Sequence, residues 1–389
     1  MASPTSHARL SASGAGKWIN NPPSLWMEEG LPDTTSPYAQ EGTDAHRLVE
    51  LKLKLALGKI KKTYYTRQVN QLKKKSEFYG KSMEEYADQH TDAVLEDFNS
   101  MPEAISYLEQ HVDFGKWAPG GFGTSDTILV NDQVLSIWDL KYGKGVKVRA
   151  DHNVQMMLYA LGAIDFLGML YDFTTVRMTI DQPRLGNLDT FEISTRELLD
   201  WGDKVVKPAA DAALNGEGPW DFEDPATWTF YKAAGFDKRL AEENLKIRKY
   251  KFKEANTLTD DELADILQVA PRIEKWLNAV KDYTTDQIMS HGKQVPGFKV
   301  VEGRSNRRIT DPIRAAEELA EAGFKDVFKP KELQTLTNLQ KLVGKDLDDI
   351  LNGLIVKPTG KPTLVPDTDK RPALNSTAQA VADFSEEDE

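Results

Sequence analysis

From Ser36 to Gly58 apolar residues recur at helical spacing through Ala45, Leu48, Val49 and Leu55, which predicts an amphipathic helix that Gly58 can close. Met83 to Phe98 predicts a second helix, ending near Met101-Pro102. The pattern then changes. Phe122 to Val130 and Val134 to Tyr142 are short β-rich runs flanking the turn-like triplet Asn131-Asp132-Gln133, so they read as an antiparallel hairpin. Asn153 to Leu170 predicts a strongly apolar helix, Thr174 to Asp181 a strand, and Thr195 to Leu214 a helix closed by Asn215-Gly216-Glu217-Gly218-Pro219. This succession implies an α/β sheet packed by helices. Beyond Pro219 the chain reads as mainly helical: Thr259 to Ala270 and Arg272 to Asp282 are two amphipathic stretches separated by Pro271, and Asp311 to Ala322 and Lys331 to Leu342 are further helices. Gly297 to Val301 is a short extended piece, and from about Lys357 frequent Pro and Gly predict a flexible tail.

Composition narrows the function classes. The chain has 389 residues, a net charge of -12 and no cysteine. At roughly 150 residues per domain it holds about two or three folded units. Without cysteine, disulfides, thiolate zinc sites, iron–sulfur clusters and cysteine nucleophiles are all excluded, so any chemistry falls to carboxylates, histidine, lysine or hydroxyls. No apolar run approaches the roughly 20 residues that span a bilayer, and the N-terminus lacks the apolar stretch of a signal peptide. The expectation is a soluble, cytoplasmic protein with no membrane partner.

The acidic average argues against a nucleic-acid partner, but the charge is segregated. Leu51 to Ser76 holds nine Lys or Arg and no acid, with Tyr64 and Tyr65 among them, whereas Ser82 to Glu109 holds eight acids and no Lys or Arg. A further run, Lys246 to Lys253, has five cations interleaved with Tyr250 and Phe252, and Asp383 to Glu389 is an acidic tail. Each run taken singly fits a solvated helix face. Basic stretches with aromatics also suit a groove that tracks a nucleic-acid backbone while bases stack.

The most informative stretch is Gly121-Phe-Gly-Thr-Ser-Asp126 followed by Asp139-Leu-Lys141. Strand side chains alternate, so Asp139 and Lys141 share one face while Trp138 and Leu140 take the other. If the hairpin pairs as read, Asp126 reaches the same end. Carboxylate oxygens suit a hard Mg2+ or Mn2+ ion that keeps water and substrate phosphate as its other ligands, and the lysine supplies a point charge beside them. Asp-x-Lys alone is equally an exposed pair of no consequence.

Its company decides the matter. With Gly42-Thr-Asp-Ala-His46 before it, Gly123-Thr-Ser-Asp126 beside it and Gln155-Met-Met-Leu-Tyr159 after it, the chain resembles the PD-(D/E)xK nuclease superfamily in its RecB-like branch. The whole chain looks like a phage-encoded RecB-like family, through Ser11-Ala-Ser13 with Trp18 and Pro22 four residues after it, Tyr38-Ala-Gln-Glu-Gly-Thr43, Asp139-Leu-Lys-Tyr-Gly-Lys-Gly145, Gly303-Arg-Ser-Asn-Arg307 and Asp369-Lys-Arg-Pro372. The resemblance implies a restriction-endonuclease-like α/β core, a mixed sheet flanked by helices, over residues 1–240. A helical region over 241–356, with a DNA-binding or assembly role, and a tail over 357–389 would follow.

It also implies a Mg2+- or Mn2+-dependent deoxyribonuclease working in phage recombination, repair or replication, with an exonuclease favoured and an endonuclease as the alternative. His46, Asp126, Asp139 and the Leu140 carbonyl would hold metal; Lys141 would orient the attacking water; Gln155 and Tyr159 would position substrate. Glu109 would touch the site through water. Lys144, Lys147 and Arg149 beside the site, with Arg304, Arg307 and Arg308, would contact DNA. A single-strand annealing protein and a second copy of the chain are the implied protein partners. The rival reading is a DNA-binding or assembly protein that keeps the nuclease fold without its activity. Relatives carry four cysteines for an iron–sulfur cluster; here Asn21, Trp228, Tyr231 and Asp237 stand at those positions, so no cluster is expected and Trp228 and Tyr231 would form an apolar plug instead.

Overall fold

A computed structural model describes residues 8–32, 37–246 and 258–301, the side chains of 37–39 excepted. Two short helices, α1 (Ala15–Asn20) and α2 (Ser24–Met27), precede α3 (Pro37–Ala56), α4 (Lys62–Lys75) and α5 (Lys81–Ser100). Strands β1 (Ile105–Asp113), β2 (Phe122–Val130) and β3 (Val134–Leu140) follow, then α6 (Val154–Leu167), β4 (Thr175–Gln182) and β5 (Asn187–Ser194). Helices α7 (Thr195–Trp201), α8 (Lys207–Asn215), α9 (Lys238–Leu245) and α10 (Asp260–His291) complete the described chain. The helices predicted beyond residue 301, the cations at 304, 307 and 308, the run from 247 to 253 and the tail lie outside the described residues.

The five strands stand in chain order. β1–β2, β2–β3 and β4–β5 are antiparallel, while β3 and β4 are parallel and joined across α6. The sheet is therefore mixed and flanked by helices, as an α/β architecture requires. The hairpin forms as the alternation predicts, with Asn131 closing it: its Oδ1 accepts the amides of Gln133 and Val134 at 3.1 and 2.8 Å.

Each face of the sheet covers its own core. Leu135 and Ile137 of β3 pack with Ile128, Met157, Leu161 and Ile180 under α6. Trp138 and Leu140, from the alternate positions, pack with Leu48, Leu51, Met83 and Val94 under α3 and α5. On that second face Asp97 of α5 ties the layers together. Its carboxylate accepts Ser136 Oγ and Trp138 Nε1, both at 2.7 Å, and pairs with Arg177 at 2.8 Å.

Several elements differ from the periodicity reading. β1, β5 and α4 are absent from it, α4 because its apolar residues are few among its lysines. Residues 292–301 carry no strand. α10 runs unbroken through Pro271. Two features anchor it there: the Thr259–Glu262 capping box starts the helix, and the buried Arg272 guanidinium donates to Phe222 O and Asn244 Oδ1 at 3.0 Å each. No helix among the described residues is long and apolar enough to cross a membrane.

Replacing Asp97 with Ala is expected to lower the unfolding free energy by about 3 kcal/mol, since it leaves the Trp138 indole N–H and the Ser136 hydroxyl without their acceptor and takes from Arg177 one of its two carboxylate partners, Glu192 being the other. Urea denaturation followed by tryptophan fluorescence measures this, and a loss below about 1 kcal/mol would show that the hub is dispensable.

Candidate functional site

The sequence-predicted residues converge at one end of the sheet. β3 ends in Asp139-Leu140, and Lys141 follows, held in line by its amide donating to Asp181 O of β4 at 2.9 Å. Asp139 and Lys141 point to the α6 side, and the ammonium stands 2.8 Å from Asp139 Oδ2. Across the hairpin the last pair is Thr127↔Trp138; one position further, Asp126 turns its carboxylate to accept the Leu140 amide at 2.9 Å. α6 closes the far side. Asn153 caps it, so Gln155 and Tyr159 present one face in its first two turns. Lys141 Nζ donates to Gln155 Oε1 at 3.0 Å, and Gln155 Nε2 donates to Tyr159 OH at 2.9 Å.

Gly123 makes room for this arrangement. A Cβ there would meet the Tyr159 ring at 2.7 Å and Ala12 at 3.3 Å. Gly42 is different: it lies in the interior of α3, one turn before His46, and a Cβ on it would meet nothing within 4 Å among the described residues. A helix-interior glycine costs about 1 kcal/mol against alanine, and packing does not explain this one.

His46 reaches over the sheet end from α3, its Nδ1 3.3 Å from Asp126 Oδ1. The third member is Glu109. Ligand atoms of His46, Glu109 and Asp126 all lie within 4.8 Å of one another, whereas Asp139 is outside that group and turned to Lys141. Glu109 sits mid-strand in β1 with φ of 51°, a left-handed conformation that a strand glutamate adopts only under constraint. The pleat slips there: Tyr107 and Val112 pack against the same core although they are five positions apart, an odd offset that would put them on opposite faces of a regular strand. The kink aims Glu109 at Asp126. A contact through water underestimates Glu109, because no motif marks it and its strand was not legible.

The charges interact strongly. Burial alone would push His46 down, but its hydrogen bond to Asp126 and the fields of Asp126, Asp139 and Glu109 carry it up to about 9. Desolvation by its neighbours, with the charges of Asp126 and Glu50, pushes Glu109 up to about 7 although part of its side chain is exposed. Asp139 is raised, mainly by burial against the opposing pull of Lys141. Asp126 is lowered, because the His46 bond and charge outweigh burial. Burial also holds Tyr159 well above the ordinary phenol range, so it stays protonated. Two oxygen donors and one imidazole nitrogen form a set that suits Mg2+ or, with histidine present, Mn2+. Glu50, one turn after His46, is committed to Arg47 and Lys54 instead.

Of the predicted phosphate contacts, Lys144, Lys147 and Arg149 are exposed on residues 141–153, the loop that leaves the site. Arg149 pairs with Asp151 at 3.4 Å. The loop backbone is pinned to the sheet: Gln182 Oε1 accepts the Val148 amide at 2.7 Å, Asp189 Oδ2 accepts that of Ala150 at 2.7 Å, and Asn187 Nδ2 donates to Val148 O at 3.0 Å. The positions matched to cysteines form no simple apolar plug. Tyr231 is buried edge-on to Trp220, but its hydroxyl is bound by Asp237, itself paired with Arg239 at 3.0 Å, while Trp228 is half-buried. With no cysteine in the chain, no thiolate-ligated cluster can be held.

A mixed sheet flanked by helices, with histidine, carboxylates, lysine, glutamine and tyrosine gathered at one end, defines an α/β protein with a candidate metal centre. The model of the family described as Protein of unknown function (DUF2800) matches residues 7–372, and the chain belongs to that family.

In protein stripped of divalent ions, the His46 ring is expected to titrate near pH 9 rather than 6.5, read from its carbon-bound proton resonances. Because the folded pKa is the higher one, the stability it contributes is complete below about pH 6.5 and is lost as pH rises through about 9. The melting temperature of stripped wild-type protein therefore falls across that window by more than that of His46→Gln; parallel curves would contradict the assignment.

Proposed function

We propose that the protein is a metal-dependent DNA nuclease with a RecB-like PD-(D/E)xK core, hydrolysing phosphodiester bonds. The observation that carries this reading is the joint presence, at one sheet end, of the His46, Glu109 and Asp126 donor group and the Asp139–Lys141–Gln155–Tyr159 chain. A scaffold without activity gains nothing from two carboxylates on neighbouring strands whose mutual repulsion must be offset by a cation.

His46, Glu109 and Asp126, with Asp139 and the Leu140 carbonyl beside them, would hold Mg2+ or Mn2+. Such an ion, when bound, lowers the pKa of water and offsets charge growing on the phosphate. The chain's own residues do the rest. Lys141, fixed between Asp139 and Gln155, presents its ammonium where a water molecule can be held for attack on phosphorus. Tyr159 accepts from Gln155, which leaves its own proton free to donate to a phosphate oxygen. The open surface at Gly42 gives a strand room to approach His46. Water gives up a proton as its oxygen bonds to phosphorus, the P–O bond to the leaving sugar oxygen breaks, and that oxygen takes up a proton, so that protons balance overall.

The resemblance favours an exonuclease of phage recombination, repair or replication, acting with a strand-annealing protein in the host cytoplasm. Wild-type protein with Mg2+ or Mn2+ is expected to release nucleotides from linear duplex and to spare covalently closed circles, with EDTA abolishing release. Asp126→Ala and Lys141→Ala are each expected to lower the rate by about 100-fold or more while leaving the fold intact. Wild-type protein that cuts neither substrate in either metal would defeat the nuclease reading, and equal cutting of circles would make it an endonuclease.

A further inference from the structure

The basic run between Leu51 and Ser76 takes no part in the site described above, yet its helix lies against the one that carries His46. α4 contains no acid, and it buries only Val69 fully, with Tyr65 and Leu72 beside it. Lys61, Tyr64, Arg67, Lys74 and Lys75 are all exposed on its outer side. Among the described residues no carboxylate pairs with Lys61, Arg67, Lys74 or Lys75, in contrast to Lys73, which meets Glu84 at 3.8 Å.

Ordinary helix stabilisation accounts for part of this charge only. Lysines in the last turn suit the negative end of the helix dipole. Lys61 does not: it occupies the N-cap with no side-chain bond, where an acid or hydroxyl would cap the helix, and Lys62 follows it. Two cations at the positive end are unfavourable unless something anionic lies near them. Tyr64, 40% exposed, has the Arg67 guanidinium 5.3 Å from its ring centroid, which makes a flat aromatic and cationic platform rather than a core residue.

The path continues toward the site. Arg47, next to His46 on α3, donates to Gln68 of α4 at 3.1 Å and lines two surface clefts. One, of about 350 Å³, runs past Lys54, Lys61 and Tyr64; the other, of about 360 Å³, runs past Gln71 and Lys75. A third, of about 480 Å³, follows Arg67 and Lys74 along the outer face.

We propose that α4 is a docking track for single-stranded DNA, its cations on the phosphates and Tyr64 stacked on a base, leading a strand past Arg47 to the site at His46. The proposal rests on the nuclease reading for its destination but not for its test. A duplex is disfavoured as the occupant because its bases are not available to an exposed ring.

Binding is measured by fluorescence anisotropy of a labelled 20-nucleotide oligothymidine with the full chain in EDTA, at several KCl concentrations. Replacement of Lys61, Arg67, Lys74 and Lys75 together by Gln is expected to weaken binding at least 10-fold and to make the salt dependence of log K shallower by about 3, at about 0.7 per lost phosphate contact. Tyr64→Ala, which leaves the charges in place, is expected to weaken binding about 10-fold with the slope unchanged. Unchanged affinity and slope in the first variant, with melting temperature preserved, would overturn the track. Loss of binding equal for a blunt duplex of the same length would overturn its assignment to single strands. Binding is read without turnover, so a wild-type protein that proves unable to cut DNA would defeat the nuclease reading and leave this measurement standing.

Discussion

Asp126 and Asp139 stand on adjoining strands at the end of the sheet, and water has little access to either. Two carboxylates in that position repel each other and have lost most of their hydration, so each needs a cation or donors of its own. The fold supplies them separately. His46 descends on Asp126 from α3, Lys141 turns back on Asp139, and the Leu140 amide is diverted from ladder pairing to Asp126. The helices around the sheet end serve this compensation as much as they cover the core. α6 places Gln155 to hold the ammonium, and α3 positions the imidazole.

The backbone is irregular where a third carboxylate, Glu109, approaches Asp126. A regular β1 would alternate its side chains without interruption, and the left-handed residue at Glu109 breaks that alternation where its strand passes Asp126. Strain of this kind persists only where surrounding structure enforces it. Here both flanks of the kink are anchored, Val112 within the core under α6 and Tyr107 packed against it. The opposite face is quieter: Asp97, Ser136, Trp138 and Arg177 satisfy one another and hold β3 and β4 in register beneath the site.

Most of the site was legible because its residues fall in short, regular elements. The hairpin turn, the alternation through Asp139 and Lys141, and the four-residue spacing of Gln155 and Tyr159 each follow from local geometry, and β2, β3 and α6 form within a few residues of the predicted bounds. β1 and β5 escaped notice because both are edge strands with mixed faces: Ile105 is 46% and Leu188 59% exposed, and acids interrupt the apolar positions. Glu109 was lost with its strand as a direct member of the site. α10 shows the opposite failure, since Pro271 is a local break signal that distant partners of Arg272 override. Local propensity yields where a neighbouring segment holds the backbone in place.

The loop of residues 141–153 owes its course to side chains elsewhere. Gln182, Asn187 and Asp189 grip its backbone at Val148 and Ala150, so its form is encoded on β4 and β5 rather than within its own residues. Lys144 and Lys147 are therefore mounted on a fixed rail by bonds that do not involve them. Exchange of those lysines can retune how the rail meets an anion without reshaping it, whereas a change at Gln182 or Asp189 would unfasten the whole rail while touching none of its charges.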